Sequence, residues 1–502
     1  MTATIPKAGR REWIGLGVIA LPCLLYSMDL TVLNLAVPSL STDLKPSGTQ
    51  LLWIIDIYGF LVAGSLITMG TLGDRIGRRR VLMIGAVAFG VASVFAAFAR
   101  SAGMLIAARA VLGLAGATLA PSTLSLIRNM FLDPRQRSFA VAVWISSYSA
   151  GAVIGPPLGG VLLQHFWWGS VFLISVPMMV LVLTLGPRLL PEFRDPDAGR
   201  ADPVSALLSV TAVLGVIYGV KHIAAHGVAL VPALAIAGGL AIGLVFVRRQ
   251  QRLADPLIDL RLFQAPALTA ALATYLLATF AVFGPYVFIA QYLQLVRGLS
   301  PLAAGLWSMP FAGGFVVGSM VSPLLARRTG PARLMAAGLV MAAAGFVSLA
   351  QVSGASDLPL LVTSTIVFSL GLSPVFTLAN DIIIGAAPPE RAGAASAISE
   401  TCSELGGALG IAILGSIGTA LYRRAMSGAI LDGLPTTAAE AARDTLGGAV
   451  AVAAQLPEGG MALLDAARMA FTSGLHVTAL ASAGIVIGMA VLVLVAVRPA
   501  TS

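Results

Sequence analysis

The sequence predicts an all-α polytopic membrane protein with fourteen transmembrane helices, laid out as two six-helix halves with two further helices inserted between them. Three observations predict it. Hydrophobic residues make up 58% of the 502 and charged residues 11%, against roughly 25% charged in soluble domains. Apolar runs of about 20 residues, long enough to cross a bilayer, are centred near residues 24, 62, 90, 115, 150, 178, 212, 238, 280, 314, 342, 371, 407 and 485. The stretch 71–85 (TLGDRIGRRRVLMIG) is echoed at 324–338 (LLARRTGPARLMAAG), matching Gly77 to Gly330 and Arg80 to Arg333 at an offset of 253 residues. Trp53 matches Trp307 at nearly the same spacing, while Asp74 falls opposite Arg327. Such a repeat implies an N-terminal half over 1–200, an inserted pair over 201–255 and a C-terminal half over 256–502.

The basic residues give the orientation. Arg75–Arg80, then Arg128, Arg135 and Arg137, then Arg188, Arg194 and Arg200, then Arg248, Arg249, Arg252 and Arg261, then Arg327, Arg328 and Arg333 occupy every second loop. The intervening loops carry only Lys45, Arg100, Lys221 and Arg297. The positive-inside rule then puts both termini in the cytoplasm, in a multi-pass protein of the cytoplasmic (inner) membrane. Arg423 and Arg424, at the outer end of the thirteenth span, depart from the pattern. The net charge of +9 comes from these loops and not from a clustered patch, so no nucleic acid partner is implied. The first run, preceded by Lys7, Arg10 and Arg11, continues past Asp29 without a small-residue cleavage site and reads as a retained helix. Segment 425–473, rich in Ala and carrying Glu440, Arg443, Asp444, Asp465 and Arg468, reads as a short helical hairpin over the outer mouth.

Several chemistries find no support. Cys23 and Cys402 lie inside apolar runs, which excludes a disulfide framework and a Cys-based metal site. His222 and His226 have i, i+4 spacing but no third ligand nearby, so no metal is expected. There is no phosphate loop and no nucleophile elbow, so neither ATP hydrolysis, nor any cofactor, nor an enzyme activity is expected.

The chemistry-bearing residues are charges placed in apolar spans, where each costs several kcal/mol and marks a transport path by default. Asp29 falls in the first span, Asp56 in the second, and Glu400 and Glu404 in the thirteenth. At i, i+4 the two glutamates share a helix face about 6 Å apart along the axis, and two acids that close do not both ionise cheaply. A carboxylate so placed holds a proton until a cation displaces it. The alternative for each acid is a structural pair with an arginine or with backbone inside the bundle. Arg109 in the fourth span is either the partner of an acid such as Asp29 or a snorkelling interfacial residue. In the fifth span, Gly151, Gly155 and Gly159 repeat every fourth residue around Pro156 and Pro157, with Gly160 following, a pattern that lets helices approach closely and bends the span. Tyr26, Trp53, Tyr58, Trp144, Tyr148, Phe280, Phe283 and Phe376 interleave with the acids; aromatic faces attract organic cations, and they also build ordinary cores and interfacial belts.

The loop 70–80 (GTLGDRIGRRR), with Gly70, Asp74, Arg75, Gly77, Arg78 and Arg79, resembles the signature loop of the major facilitator superfamily of transporters. Residues 52–58 (LWIIDIY), 28–38 (MDLTVLNLAVP), 151–160 (GAVIGPPLGG), 399–407 (SETCSELGG) and 121–129 (PSTLSLIRN) are similar to motifs of its fourteen-helix drug/proton antiporter branch, in particular the quaternary-ammonium and dye exporters of mycobacterial type. The resemblance covers nearly the whole chain. It implies the major facilitator fold and a proton-coupled antiporter that exports lipophilic cationic drugs, dyes and quaternary ammonium compounds as a monomer driven by the proton gradient. It implies that Asp29, Asp56, Glu400 and Glu404 handle protons or cations, that Arg109 is the coupling arginine, and that 151–160 is the antiporter motif. Asp74, where one helix ends, is placed to pair with a neighbouring arginine or a helix N-terminus, so the 70–80 hinge reads as a gate with Asp74 as its latch. Two other readings remain: export of a single natural product, and a membrane receptor without net transport.

Overall fold

Short polar signals set the helix ends. Ser47 opens the second helix by accepting from the Gln50 amide at 3.2 Å while its own amide donates to Gln50 Oε1 at 3.0 Å, a reciprocal cap. Ser101 and Ser300 accept from the amides of Met104 and Ala303, each at 3.2 Å, and Asp202 accepts from the Ser205 amide at 3.1 Å. The computed structural model describes residues 7–194, 202–253, 256, 266–353, 357–386, 392–427, 435–456 and 459–496. The side chains of Asp74, Arg135 and His226, and the whole of Arg200 and Arg261, lie outside the described residues.

The elements are α1 (Arg10–Leu44), α2 (Gly48–Ile76), α3 (Arg78–Ala97), α4 (Ala102–Met130), α5 (Pro134–His165), α6 (Ser170–Leu189), α7 (Pro203–His226) and α8 (Leu230–Arg252). After these come α9 (Pro266–Val296), α10 (Pro301–Thr329), α11 (Pro331–Leu349), α12 (Leu358–Ala386), α13 (Ile398–Ser427), α14 (Thr436–Asp444), α15 (Leu446–Ala453) and α16 (Gly460–Ala496). Fourteen of them are long and apolar enough to cross a membrane, and they coincide with the fourteen runs read from the sequence. No strand occurs among the described residues.

The two halves repeat one packing pattern. In the first, α1 packs on α5 and α6, α4 on α2 and α3, and α3 on α6. In the second, α9 packs on α13 and α16, α12 on α10 and α11, and α11 on α16. The contacts between halves obey the same exchange: α2 packs on α13, and α10 on α5. The echoed loops occupy equivalent positions. Gly77 alone joins α2 to α3 at φ +113°, and Gly330 alone joins α10 to α11 at φ +84°, a region that favours glycine. Each caps the helix before it, the Gly77 amide donating to Gly73 O and the Gly330 amide to Ala326 O.

The halves meet toward the end of the bundle away from these hinges. Gly305 of α10 leaves no room for a Cβ against the Pro156 carbonyl of α5, and a Cβ on Gly160 would stand 2.7 Å from Leu302 Cα. On the other seam, Gly59 of α2 faces Ala408 and Glu404 of α13, and Gly48 faces Thr419. Gln294 Nε2 of α9 donates to Leu35 O of α1 at 2.8 Å. Helices α14 and α15 pack on each other and cover this closed end. Tyr422 Oη donates to Ala442 O at 2.8 Å and Arg423 Nε pairs with Asp444 at 3.4 Å, which gives Arg423, an exception to the charge alternation, a local anionic partner.

One sequence assignment changes. Lys221 is not a loop residue: it lies on α7 within the apolar span Pro203–Ile223, with a side chain only 1% exposed. His222 is also helical, its ring 5.8 Å from Tyr218.

Candidate functional site

The buried charges fall into two groups. In the first, two acids are paired. Arg109 of α4 donates through Nη1 to Asp29 of α1 at 2.5 Å, through Nε to Ile54 O at 3.1 Å and through Nη2 to Ile55 O at 3.4 Å. Its guanidinium lies 4.7 Å from the centre of the Tyr58 ring, a cation–π contact in a site where the arginine is 1% exposed. Of the two readings the sequence left for Arg109, the acid partner is the one seen. Asp56, the residue after Ile55 on α2, pairs instead with Lys221 of α7, at 2.7 and 2.8 Å to its two carboxylate oxygens. The Lys221 ammonium also sits 4.0 Å from the centre of the Trp53 ring.

The second group is Glu400 and Glu404 on α13, for which the described residues provide no ion pair. Glu404 is 7% exposed. Its carboxylate would lie 3.8 Å from a Cβ built on Gly59, so it stands on the α2–α13 seam between the halves. Tyr26, Tyr148 and Tyr275 interact electrostatically with both acids, and Tyr58 with Glu404. Tyr26 stacks at tilted geometry on Tyr58 and Tyr148, with centroids 5.8 and 5.7 Å apart, and its buried hydroxyl approaches Glu404 without completing a well-formed hydrogen bond. Six interior carboxylate and cation positions therefore fall on helices of both halves, on α1, α2 and α4 from one and α13 from the other, with Lys221 of α7 at the margin.

The other aromatics are dispersed. Phe376 lies against Tyr275 at 5.2 Å and Phe315 at 5.4 Å. Phe283 touches Tyr286, which leads through Phe311 to Phe368 inside the second half. The Phe280 backbone carbonyl fits against Gly410, where a Cβ would overlap it. Trp144 Nε1 donates to Thr123 Oγ1 at 3.1 Å. Asp29 also lines a crevice between α1, α3 and α6 with Ser93 and Ser175, with room for little more than a water molecule.

The glycines of 151–160 serve two surfaces. Gly151, Gly155 and Gly159 bring α5 onto α1, where a Cβ would strike Leu24 O, Thr31 Oγ1 and Val32, whereas Pro156 and Gly160 face α10 of the other half. At the hinge, Gly70 has ordinary room beside Pro121, Arg75 is exposed, and Arg78 is buried, donating to Pro121 O at 3.4 Å. Arg79 caps the end of α6 by donating to Pro187 O at 3.2 Å and Leu190 O at 3.0 Å. The Arg79 amide donates to Glu192 Oε1 at 3.1 Å, setting a carboxylate at the N-terminus of α3. A Cβ on Gly77 would overlap that same carboxylate. The latch assigned to Asp74 lies outside the described residues.

Sequence reading missed Lys221, Tyr275 and Glu192. For Lys221 a signal existed, since a lysine four residues after Ile217 inside an apolar run is a buried charge in search of a partner.

The Major Facilitator Superfamily profile matches residues 19–411. The chain belongs to that superfamily. It is 45% identical to the multidrug efflux pump LfrA of Mycolicibacterium smegmatis, covering 99% of this chain and 98% of that one. It is 38% identical to the methyl viologen resistance protein SmvA of Salmonella typhimurium, covering 94% and 96%. Among solved structures it superposes on a bacterial homologue of the human lysosomal transporter Spinster, inward-facing and unoccupied, with TM-score 0.69 at 18% identity over 98% and 100% of the two chains. The peptide transporter POT in complex with sulfate gives a TM-score of 0.64 at 17% identity over 98% and 97%. At these identities the structures bear out the fold, a two-half helical transporter bundle.

Proposed function

We propose that this protein is a proton-coupled antiporter that exports lipophilic cationic compounds across the cytoplasmic membrane, with Glu400 and Glu404 as the exchanging acids. The observation that carries the reading is the charge inventory of the interior. Asp29 and Asp56 each have a basic partner, Arg109 and Lys221, whereas Glu400 and Glu404 share a face with none among the described residues. Uncompensated carboxylates in an apolar bundle are stable when protonated or when a cation arrives. A proton and an organic cation then compete for one site, which is exchange, and each weakens the other's binding reciprocally. Tyr26, Tyr148 and Tyr275 around the acids offer faces to a flat or quaternary cation. The relatives' names, a multidrug efflux pump and a methyl viologen resistance protein, support this substrate class.

Glu404 also couples the site to movement. It sits on the seam between α2 and α13, so a bare charge there disfavours the dry closed seam, and neutralisation favours it. Arg109 holds Asp29 and the α2 backbone together and reports the state of Asp29 to that seam. With the basic loops in the cytoplasm, the hinge end is cytoplasmic, both termini are cytoplasmic, and the closed end under α14 and α15 faces outward. The unit is a monomer and needs no cofactor beyond the proton gradient.

Reconstituted protein tests this. A pH gradient should drive ethidium against its concentration gradient, and Glu400→Gln/Glu404→Gln should abolish that movement. Undiminished pumping by the double variant overturns the assignment.

A further inference from the structure

The inserted helices are placed where the bundle must move. Helix α7 packs on α2 of the first half and also on the Ile411–Ser427 part of α13 of the second, so it lies over one of the two seams between the halves, with α8 behind it. Its two contacts differ in kind. Toward α13 its contact is an apolar one: Ile217 is 1% exposed in a small cluster with Phe60 of α2 and Ala408 and Ala412 of α13, with Val213 and Leu214 packed against it. Toward α2 it adds the Lys221–Asp56 pair, at 2.7 Å, with both side chains at most 1% exposed and the ammonium over Trp53. Val210 of α7 also fills the space beside Gly64 of α2.

Separating these two faces has unequal consequences. Sliding apolar side chains past each other in a lipid-surrounded bundle leaves no group unsatisfied. Parting Lys221 from Asp56 strands two charges in an apolar environment, the most unfavourable way to open a contact. The other charged group close to Asp56 is Arg109 of α4, already committed to Asp29 and to the Ile54 and Ile55 carbonyls. Among the described residues, Lys221 is the basic side chain paired with Asp56.

We propose that Lys221 is a positioning residue for transport: paired with Asp56, it pins α7 to α2, so the inserted helix pair travels with the N-terminal half and the seam parts along the apolar α7–α13 face. The inserted pair is then a strap on one half and not a bridge between both. Asp56 is withdrawn from proton exchange by the same pairing, which separates it from Glu400 and Glu404. The proposal rests on the alternating-transport reading, since it assigns which contact survives the movement.

The test uses the full chain in a Cys23→Ala/Cys402→Ala background, reconstituted, with proton-driven ethidium transport as the readout. Asp56→Leu and Lys221→Met singly should each lower transport at least tenfold, because each strands its partner. The combined Asp56→Leu/Lys221→Met should recover to within threefold of the parent, since an apolar pair also holds α7 on α2. Independently, joining α7 to α2 through Asp56→Cys/Lys221→Cys with a short bis-methanethiosulfonate should leave the rate within threefold of the same variant before joining. Joining α7 to α13 through Ile217→Cys/Ala408→Cys should arrest it. A double variant that stays as inactive as the singles overturns the proposal, as does continued transport after the α7–α13 link or arrest by the α7–α2 link. A parent that moves no ethidium under a pH gradient refutes the transport reading itself; an active parent with failed arms refutes only the pin.

Discussion

Replacing Gly77 by alanine separates backbone strain from steric crowding at the hinge, because its repeat partner Gly330 experiences only the first. At φ +113° and ψ 130°, Gly77 occupies a region that costs an L-residue about 1–3 kcal/mol. The new Cβ would also overlap the Glu192 carboxylate. Glu192 must swing away, giving up the hydrogen bond from the Arg79 amide, worth about 1 kcal/mol. It also loses half-exposed pairs at 3.5 and 3.9 Å with Arg79 and Arg80, each worth about 0.2–1 kcal/mol. The sum is about 2–6 kcal/mol for Gly77→Ala. A Cβ on Gly330, at φ +84°, meets nothing within 4 Å, so Gly330→Ala costs about 1–3 kcal/mol from the backbone alone. Thermal unfolding of the purified variants in detergent should show the lower midpoint for Gly77→Ala. An equal or larger loss at Gly330 refutes the role given to Glu192.

Gly151→Ala drives a methyl into the Leu24 carbonyl, backbone that cannot step aside, and should destabilise the α1–α5 packing by about 1–3 kcal/mol; detergent unfolding checks this against Gly17→Ala, where there is open space. Arg109→Lys keeps the charge but not the planar fork that reaches both Asp29 and two α2 carbonyls, so ethidium pumping should fall at least about tenfold, a barrier change near 1.4 kcal/mol. Asp202, just before α7, is subject to the upward push of burial, but hydrogen bonds from Arg249 and Ser205 win and hold it down at about 2. Because its folded value lies below the unfolded one, its stabilising effect is complete above the ordinary carboxylate value of about 3.9 and vanishes as the pH falls through about 2. Asp202→Asn should therefore lower the unfolding midpoint by a constant amount between neutral and mildly acid pH, with the difference closing below about pH 3.

Spans and hinges were legible because each rests on a local signal. Long apolar runs have only one way to satisfy their backbone in lipid, the helix, and the single-glycine turns at 77 and 330 stand where the Gly-Arg echo put them. Asp29 and Arg109 were legible as charges out of place, and their pairing was one of two readings that the sequence left open. Lys221 was misread because one lysine near the end of an apolar run looks like an interfacial residue; its partner Asp56 lies 165 residues earlier, and only the tertiary packing of α7 on α2 brings them together. Glu192 lay hidden for a similar reason, since a lone acid after a span carries no pattern until Arg79 and the N-terminus of α3 fold against it. Nor does any local signal separate Trp53, under the Lys221 ammonium, from Tyr26 and Tyr148, beside the glutamates.

The central claim is that Glu400 and Glu404 trade a proton for a cation. Proton release upon ligand binding tests it without any need for transport: ethidium added to the purified protein in weakly buffered detergent, with the change in pH recorded. The account predicts that the parent acidifies the medium and binds ethidium more tightly as the pH rises, and that Glu400→Gln/Glu404→Gln releases no protons. Equal proton release from parent and double variant contradicts it.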